Sequence, residues 1–198
     1  MAKPRTGKSS QGIFIVRNRE DLEHASKREN YVIQEYLGDD DSEYTAGCFS
    51  DTTGRVRGVM VMRRHLAQGT TVRAEAGLFP EIRAEAERIA SALQPYGPCN
   101  VQLRRSRGRP VCFEINVRFS GTTPIRARLG FNDVEATLRH YVLGEKPVDL
   151  PVVTEGIAVR YWNEAYLQPT SVEALRNSGA SGVSLKCKGQ IENYGITR

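Results

Sequence analysis

The residues with the clearest chemical potential lie between positions 113 and 118, which read FEINVR. Alternation along a strand would place Glu114, Asn116 and Arg118 on one face and the apolar residues on the other. Glu114 and Asn116 offer the hard oxygen ligands that Mg²⁺ takes, with water and substrate phosphates completing its octahedron. Arg118 could hold a phosphate or a carboxylate beside them. The alternative is a half-exposed strand whose polar side faces solvent.

A neighbouring strand is predicted at 100–103, and it is joined to the strand at 110–116 by an arginine-rich hairpin tip with the sequence RRSRGR at 104–109. A hairpin of this length brings Gln102 beside Glu114 or Asn116, where its amide oxygen adds a further ligand. Two adjacent strands that direct amide and carboxylate oxygens at one point indicate a shared cation site.

The opening residues 3–12, KPRTGKSSQG, combine two glycines, hydroxyl side chains and three cations. Glycine lets the backbone approach an anion closely, and lysine or arginine neutralises its charge, so this segment suits a phosphate. It is not a Walker A loop, because a strand at 13–16 is predicted to follow where that motif needs a helix. The alternative is a mobile basic N-terminal arm.

An extended segment is predicted at 31–37, ending in Glu35, Tyr36 and Leu37. Its backbone N–H and C=O groups could meet a purine edge, while Ile33 and Leu37 supply apolar walls. Glu43, beyond an acidic loop, could accept hydrogen bonds from ribose hydroxyls.

Periodicity and turn signals predict the elements that position these groups. Strands are predicted at 44–50 and 56–63 around the turn 51–54, at 157–162 and at 182–187. Helices are predicted at 19–29, capped by Asn18, at 134–143, ending at Gly144, and in a short segment capped by Thr170 or Ser171. A further helix has an apolar face formed by Ile82, Ala86, Ile89, Ala90 and Leu93. Hairpins mixed with helices predict an α+β fold with largely antiparallel sheets.

The bulk composition narrows the class of protein. The chain has 198 residues, 39% of them hydrophobic, with no apolar run of about 20 residues and no apolar signal-peptide core, so we expect a cytoplasmic protein without a membrane span. Four cysteines and three histidines show no metal-ligand spacing, which favours free thiols over zinc or disulfides. The net charge of +5 suits a phosphate site better than a nucleic-acid surface, because acidic residues are interspersed among the basic residues along the chain. A basic nucleic-acid-binding module is the alternative, and it would bind duplexes with a steep salt dependence.

Together these segments resemble the ATP-grasp superfamily, and within it the ligases related to the carbamoyl-phosphate synthetase large chain. The resemblance covers roughly 3–147 and rests on 100–103, on 114–121 and on Leu129-Gly130 before the 134–143 helix, while 3–12 resembles the family's glycine-rich lid. Val117 stands where the family usually has proline. The resemblance implies two lobes around a nucleotide cleft, built from largely antiparallel sheets with flanking helices.

The resemblance also implies roles for individual residues. The ATP phosphates would contact Lys3, Ser9, Ser10 and Gly12, and the adenine would contact the hinge at Glu35, Tyr36 and Leu37. The ribose would bind to Glu43, and Mg²⁺ or Mn²⁺ would bind to Gln102, Glu114 and Asn116. Arg118 would hold the transferred phosphoryl group or the acyl phosphate. The implied protein is an ATP-dependent ligase that joins a small-molecule carboxylate to an amine or thiol nucleophile through an acyl phosphate.

The same resemblance predicts three regions: a remnant of the lid subdomain at 1–34, the metal and triphosphate platform at 35–150, and a C-terminal extension at 151–198 packed on it. Because the family carries a lobe ahead of the lid, we expect a fragment whose missing lobe is supplied in cis or in trans. The alternative is a non-catalytic or partner-dependent nucleotide-binding remnant, and a homodimer is also allowed. Arg73, Arg126 and Arg128 are candidates for holding a substrate carboxylate, or else ordinary surface arginines.

Overall fold

The computed structural model describes residues 1–6, 11–38 and 43–161. Its strands are β1 (Ala2–Pro4), β2 (Tyr31–Ile33), β3 (Glu43–Ser50), β4 (Val56–Ala67), β5 (Thr70–Gly77), β6 (Pro98–Ser106), β7 (Arg109–Asn116) and β8 (Glu155–Val159). Its helices are α1 (Arg19–Ser26), α2 (Pro80–Leu93), α3 (Thr123–Arg128), α4 (Asp133–Thr137) and a one-turn π-helix (Leu138–Val142). The elements predicted at 170–171 and 182–187 lie outside the described residues.

Six strands form the main sheet in the order β7-β6-β3-β4-β5-β8, and every neighbouring pair is antiparallel. The predicted α+β class with antiparallel sheets is therefore confirmed. The turn at 51–54 closes the β3–β4 hairpin through Gly54 N–H, which donates to Asp51 O at 2.9 Å. The sequence did not predict β5, because its residues Ala74 and Ala76 have a weak preference for strands. In the structure both alanines pack in one buried cluster with Met60 and Met62.

One face of this sheet is apolar and is covered by α2. Alternate residues of β3, β4 and β6 point towards Ile82, Ala86 and Ala90, all fully buried, which confirms the predicted helix face. Leu93 at the end of that face is 47% exposed. The side chains of opposite parity therefore face the other side of the sheet.

The second face divides into an apolar half and a polar half. Met60, Met62, Ile125 and Phe131 form a second core cluster beneath the α3–α4 region. Among the helices in the described ranges none covers the polar half, which carries Glu43, Arg64, Gln102, Arg104 and Glu114. Within the described part of the chain, this half of the face away from α2 is therefore charged and forms the wall of a cleft.

The N-terminal region forms a separate two-stranded sheet in which Lys3 pairs with Val32. Asn18 caps α1 as predicted, since its Oδ1 accepts from Asp21 N–H at 2.8 Å, although the helix ends at Ser26 and not at 29. Two expectations were wrong here. Lys3 lies in a strand, not a loop, and the strand predicted at 13–16 is a single bridge from Phe14 to Ala2. Phe14 and Ala2 exchange two backbone hydrogen bonds of 2.9 and 3.1 Å, and the Phe14 ring packs against His24 and Tyr31, so this stretch is held at one residue and not along a strand.

The single helix predicted at 134–143 is divided into α4 and the π-helix. Two contacts with the β3–β4 hairpin accompany the wider turn: Tyr141 Oη donates to Ser50 O at 2.8 Å, and His140 Nε2 accepts from Thr52 N–H at 3.1 Å. A local periodicity argument cannot anticipate such tertiary contacts. In the described ranges no helix pairs the length with the apolar character that crossing a membrane demands.

Candidate functional site

A cleft of about 390 Å³ lies over the polar half of the sheet. Its lining includes eight of the residues predicted from sequence: Lys3, Glu35, Tyr36, Leu37, Glu43, Gln102, Glu114 and Arg118. Asn116 lies beside the lining, bonded to Glu114. Gly12 does not line the cleft, although its neighbour Ile13 does; it lies in a turn with φ of 76° where Tyr31 Oη donates to its carbonyl. Ser9 and Ser10 are outside the described residues.

The predicted metal ligands converge at the β6–β7 ladder. Gln102 is the register partner of Glu114, and Asn100 is the partner of Asn116. Asn116 Nδ2 donates to Glu114 Oε1 at 2.7 Å, and Arg118 Nη2 donates to Asn116 Oδ1 at 3.0 Å. The strand alternation therefore brings Glu114, Asn116 and Arg118 into one hydrogen-bonded row, as the sequence predicts.

This donor set fits a hard divalent cation that is shared with phosphates. Glu114 is exposed, and its Oε2 has no hydrogen-bond partner in the described part of the chain. Asn116 would direct its oxygen to the same point after a half-turn of its amide, which needs no backbone movement but replaces its hydrogen bonds with Glu114 and Arg118. Gln102 is less free, because its Oε1 already accepts from Arg64 Nη2 at 2.7 Å. The metal role of all three residues stays a prediction.

Glu43 has a different environment from the one expected of a ribose acceptor. Its side chain is 8% exposed, and each of its oxygens already bonds an arginine: Arg64 Nη2 at 2.6 Å and Arg104 Nη2 at 2.5 Å. Arg104 also donates to the carbonyl of Gly38, at the end of the hinge segment. Glu43 therefore orients two guanidinium groups on the cleft floor, and a ribose would have to share its oxygens with them.

Sequence reasoning missed Arg64 and Arg104 as site residues. Both share a sheet face with Glu43 and Gln102 because the antiparallel register places them there. The alternation of side chains along β4 and β6 indicates which face Arg64 and Arg104 occupy. Recognising them as site residues also requires knowing that β3 pairs with both strands.

Arg126 is neither a pocket residue nor a surface residue, contrary to both expectations. Its side chain is 1% exposed, and Nη2 lies 2.6 Å from Oδ2 of Asp133, which is fully buried. The same guanidinium donates to the hydroxyls of Ser120 at 3.0 Å, Thr122 at 3.1 Å and Thr123 at 2.9 Å. Arg126 thus fixes residues 120–123, which we call the rim loop, and Ser120, Gly121 and Thr122 of that loop line the cleft.

Arg73 and Arg128, the other two candidates for a substrate carboxylate, are exposed and do not contribute to the cleft lining. Arg73 lies on β5 opposite Val159. Nothing in their geometry singles them out as ligand-binding residues.

Three cations in the cleft are held by backbone carbonyls. Lys3 Nζ donates to Phe113 O at 3.3 Å, Arg118 Nη1 to Phe119 O at 2.9 Å, and Arg160 Nη1 to Thr71 O at 3.3 Å. Among the residues that the structure describes, none of the three forms an ion pair with a carboxylate. Cations that are held by carbonyls and form no such ion pair have the chemistry that binds anions.

Comparison with known proteins identifies the family. Residues 27–165 match a family model described as ATP-grasp in the biosynthetic pathway with Ter operon. No curated protein matches the chain. The match to the family model spans the hinge segment, the whole main sheet and the rim loop.

Several solved structures share the fold. N5-carboxyaminoimidazole ribonucleotide synthetase from Thermus thermophilus is 18% identical with a TM-score of 0.60, and the match covers 78% of this chain and 43% of that one. The carboxyaminoimidazole ribonucleotide synthase from Aspergillus clavatus, complexed with ATP, is 15% identical with a TM-score of 0.59, covering 80% and 44%. The Staphylococcus aureus N5-carboxyaminoimidazole synthetase, complexed with ADP, is 14% identical with a TM-score of 0.62, covering 90% and 48%. The match therefore spans less than half the length of each of these proteins.

Proposed function

The chain belongs to the ATP-grasp family, and on that premise we propose that it is the ATP- and Mg²⁺-binding part of a ligase. The ligase joins a carboxylate to an amine or a thiol, with ATP activating the carboxylate as an acyl phosphate. The observation that carries the proposal is the convergence of Lys3, the hinge at Glu35–Leu37, Glu114 and Arg118 on one cleft although they lie far apart in sequence.

The proposed contacts follow from the chemistry of each group. The hinge backbone meets the adenine edge, and Lys3 offsets charge on the phosphates from its position on β1. Arg118 lies one hydrogen bond beyond Asn116 and can hold the transferred phosphoryl group by two parallel N–H donors. Glu43 holds Arg64 and Arg104 in place, so the floor presents ordered guanidinium groups without reorganisation during the reaction.

The cation is proposed to be held by Glu114 and Asn116, with Gln102 as a third donor. Mg²⁺, or Mn²⁺ in its place, neutralises phosphate charge and orients the nucleotide when it is bound. Glu114 contributes the one formal negative charge of this set, so its removal should matter most.

The test is Mg²⁺-dependent ATP binding, measured by calorimetry, in Glu114→Ala and Asn116→Ala. We expect both variants to lose affinity by roughly tenfold or more, because each loses an oxygen ligand or a bond to a charged group. Glu87→Ala is the matched control, since Glu87 is an exposed carboxylate on α2, the helix on the opposite face of the sheet. Unchanged affinity in both site variants would count against the assignment.

A second candidate function is a nucleotide-binding chain that turns over ATP only with a further lobe supplied in cis or in trans. The coverage of 43% to 48% of the similar solved structures favours it over an independent enzyme. The two versions differ in ADP release measured with and without an added N-terminal lobe. Release that needs the added lobe supports the dependent version, and release by the chain alone contradicts it.

A further inference from the structure

Arg160 lines the cleft but has no role in the proposed contacts with the nucleotide. It follows the last residue of β8, and its backbone N–H donates to Val72 O at 2.8 Å, which continues the β5–β8 pairing. Its guanidinium lies against the carbonyls of Thr71 and Gly121 and lines the cleft. Arg160 therefore joins the edge of the main sheet to the rim loop.

This guanidinium is fixed and still has free donors. An arginine carries five N–H groups, and within the part of the chain that the structure describes, the contacts of Arg160 to carbonyls use two of them. No carboxylate in the described ranges lies within ion-pair distance of it. A fixed cation with spare donors facing a cleft is a binding group for a planar or tetrahedral anion.

The sheet order separates Arg160 from Lys3, the proposed phosphate contact near the other edge of the sheet. Lys3 bonds to β7, at one edge of the six-stranded sheet, while Arg160 follows β8, at the other edge. Five steps between neighbouring strands, at about 4.8 Å each, place the backbones of these edge strands roughly 24 Å apart before twist is considered. The Arg160 side chain itself reaches back to Thr71 on β5 and to Gly121, three residues after Arg118. Arg118 and the rim loop lie between them along the chain path from β7 to Gly121.

We propose that Arg160 binds an anionic group of the acceptor substrate, separate both from the nucleotide and from the carboxylate that is activated. The acceptor would then be at least doubly anionic: a carboxylate that reacts near Arg118 and a second carboxylate or a phosphate held by Arg160. Gly121 suits this arrangement, because a side chain at that position would project into open space where the acceptor enters. This inference rests on the proposed ligase function for the identity of the acceptor, but the anion site itself does not depend on it.

The test uses the full chain saturated with Mg²⁺ and a non-hydrolysable ATP analogue, titrated by calorimetry with inorganic phosphate and, separately, with succinate. We expect saturable binding of at least one of these anions. Arg160→Gln should weaken it by roughly tenfold or more while leaving the affinity for the nucleotide analogue unchanged. Tighter binding of phosphate assigns a phosphorylated acceptor, and tighter binding of succinate assigns a dicarboxylate.

Arg55→Gln is the matched control, because Arg55 is an exposed arginine of the β3–β4 turn outside the cleft lining. Arg160→Lys keeps the charge and should retain part of the affinity, and it serves as the test variant if Arg160→Gln does not fold. Anion affinity that is equal in the wild type and the Arg160 variants overturns the proposal, as does anion binding that the nucleotide analogue displaces. If the analogue itself does not bind, the ligase proposal fails, while the same titration of the nucleotide-free chain still tests Arg160.

Discussion

At the scale of single residues, the site depends on a buried arginine that sequence reasoning assigned to the surface or the pocket. Arg126 reaches three hydroxyls of the rim loop and Asp133 because Gly47 of β3 has no side chain to obstruct it. The ion pair is fully buried, so its desolvation is offset only while all of these bonds are made. Gly47 is thus required for the position of Arg126 beneath the rim loop, although Gly47 does not itself line the cleft.

Gly47→Ala should destabilise the protein, because the added methyl group would occupy the space of the Arg126 guanidinium. We expect a loss of about 1–3 kcal/mol in the free energy of unfolding, measured by urea denaturation. Gly121→Ala is the matched control: a methyl group there meets no atom within 4 Å, and we expect almost no change. Equal stability of the two variants would contradict the packing argument.

At the scale of elements, the β3–β4 hairpin is held at its turn by one carboxylate. Asp51 Oδ1 accepts from Thr53 N–H at 2.8 Å and from Arg55 N–H at 3.2 Å, and Oδ2 accepts from Arg57 Nε at 2.6 Å. Burial alone would raise the pKa of Asp51, but the hydrogen bonds from Thr53, Arg57 and Arg55 outweigh it and hold the pKa well below its usual range. The turn is therefore stabilised by the ionised form.

This depressed pKa predicts how stability changes in acid. A group whose pKa is lower in the folded state stabilises the fold above its unfolded pKa, near 3.9, and this contribution fades as the pH falls towards its folded pKa. Asp51→Asn should therefore lower the free energy of unfolding at pH 7 and flatten its decline below about pH 4. Denaturation curves of both proteins across this range measure the difference. A parallel decline in the wild type and the variant would show that Asp51 is not the responsible group.

At the scale of the whole molecule, the described residues from Met1 to Arg160 form one compact unit in which the main sheet separates a thiol-bearing core from the cleft. Cys48 and Cys99 are register partners on β3 and β6 and are buried beneath α2. Burial raises the pKa of the Cys48 thiol far above its usual value and raises the pKa of Cys99 to about 11. Both thiols should react only when the sheet opens.

Alkylation of Cys48 and Cys99 should therefore follow global unfolding, and ligands of the folded state should slow it. At a concentration of MgATP 100 times its dissociation constant, stabilisation of about 2.7 kcal/mol corresponds to roughly hundredfold protection in the equilibrium regime. Mass spectrometry of the labelled peptides measures each cysteine separately, and half-buried Cys112 provides the internal comparison. Rapid labelling of Cys48 without denaturant would contradict this account of the core.

The sequence by itself determined the features that depend on near neighbours. Two-residue alternation and short hairpins were sufficient to predict the α+β class, the β3–β4 turn, the face of α2 and the meeting of Gln102 with Glu114, because strand pleat and turn length fix which side chains share a face. The ATP-grasp resemblance that these segments suggested is confirmed by the family match over 27–165. The roles of the site residues stay predictions.

Only the tertiary structure decided the features that depend on distant partners. The bonds of Glu43 with Arg64 and Arg104, the burial of Arg126 under Gly47, the place of β5 and the division of the 134–143 helix each require contacts between segments far apart in sequence. Local propensity carries no information about such partners, and a charged residue reads as exposed until the group that neutralises it is found. Arg64, Arg104 and Arg126 could be identified as residues that shape the cleft only from the order and register of the strands and the packing on them.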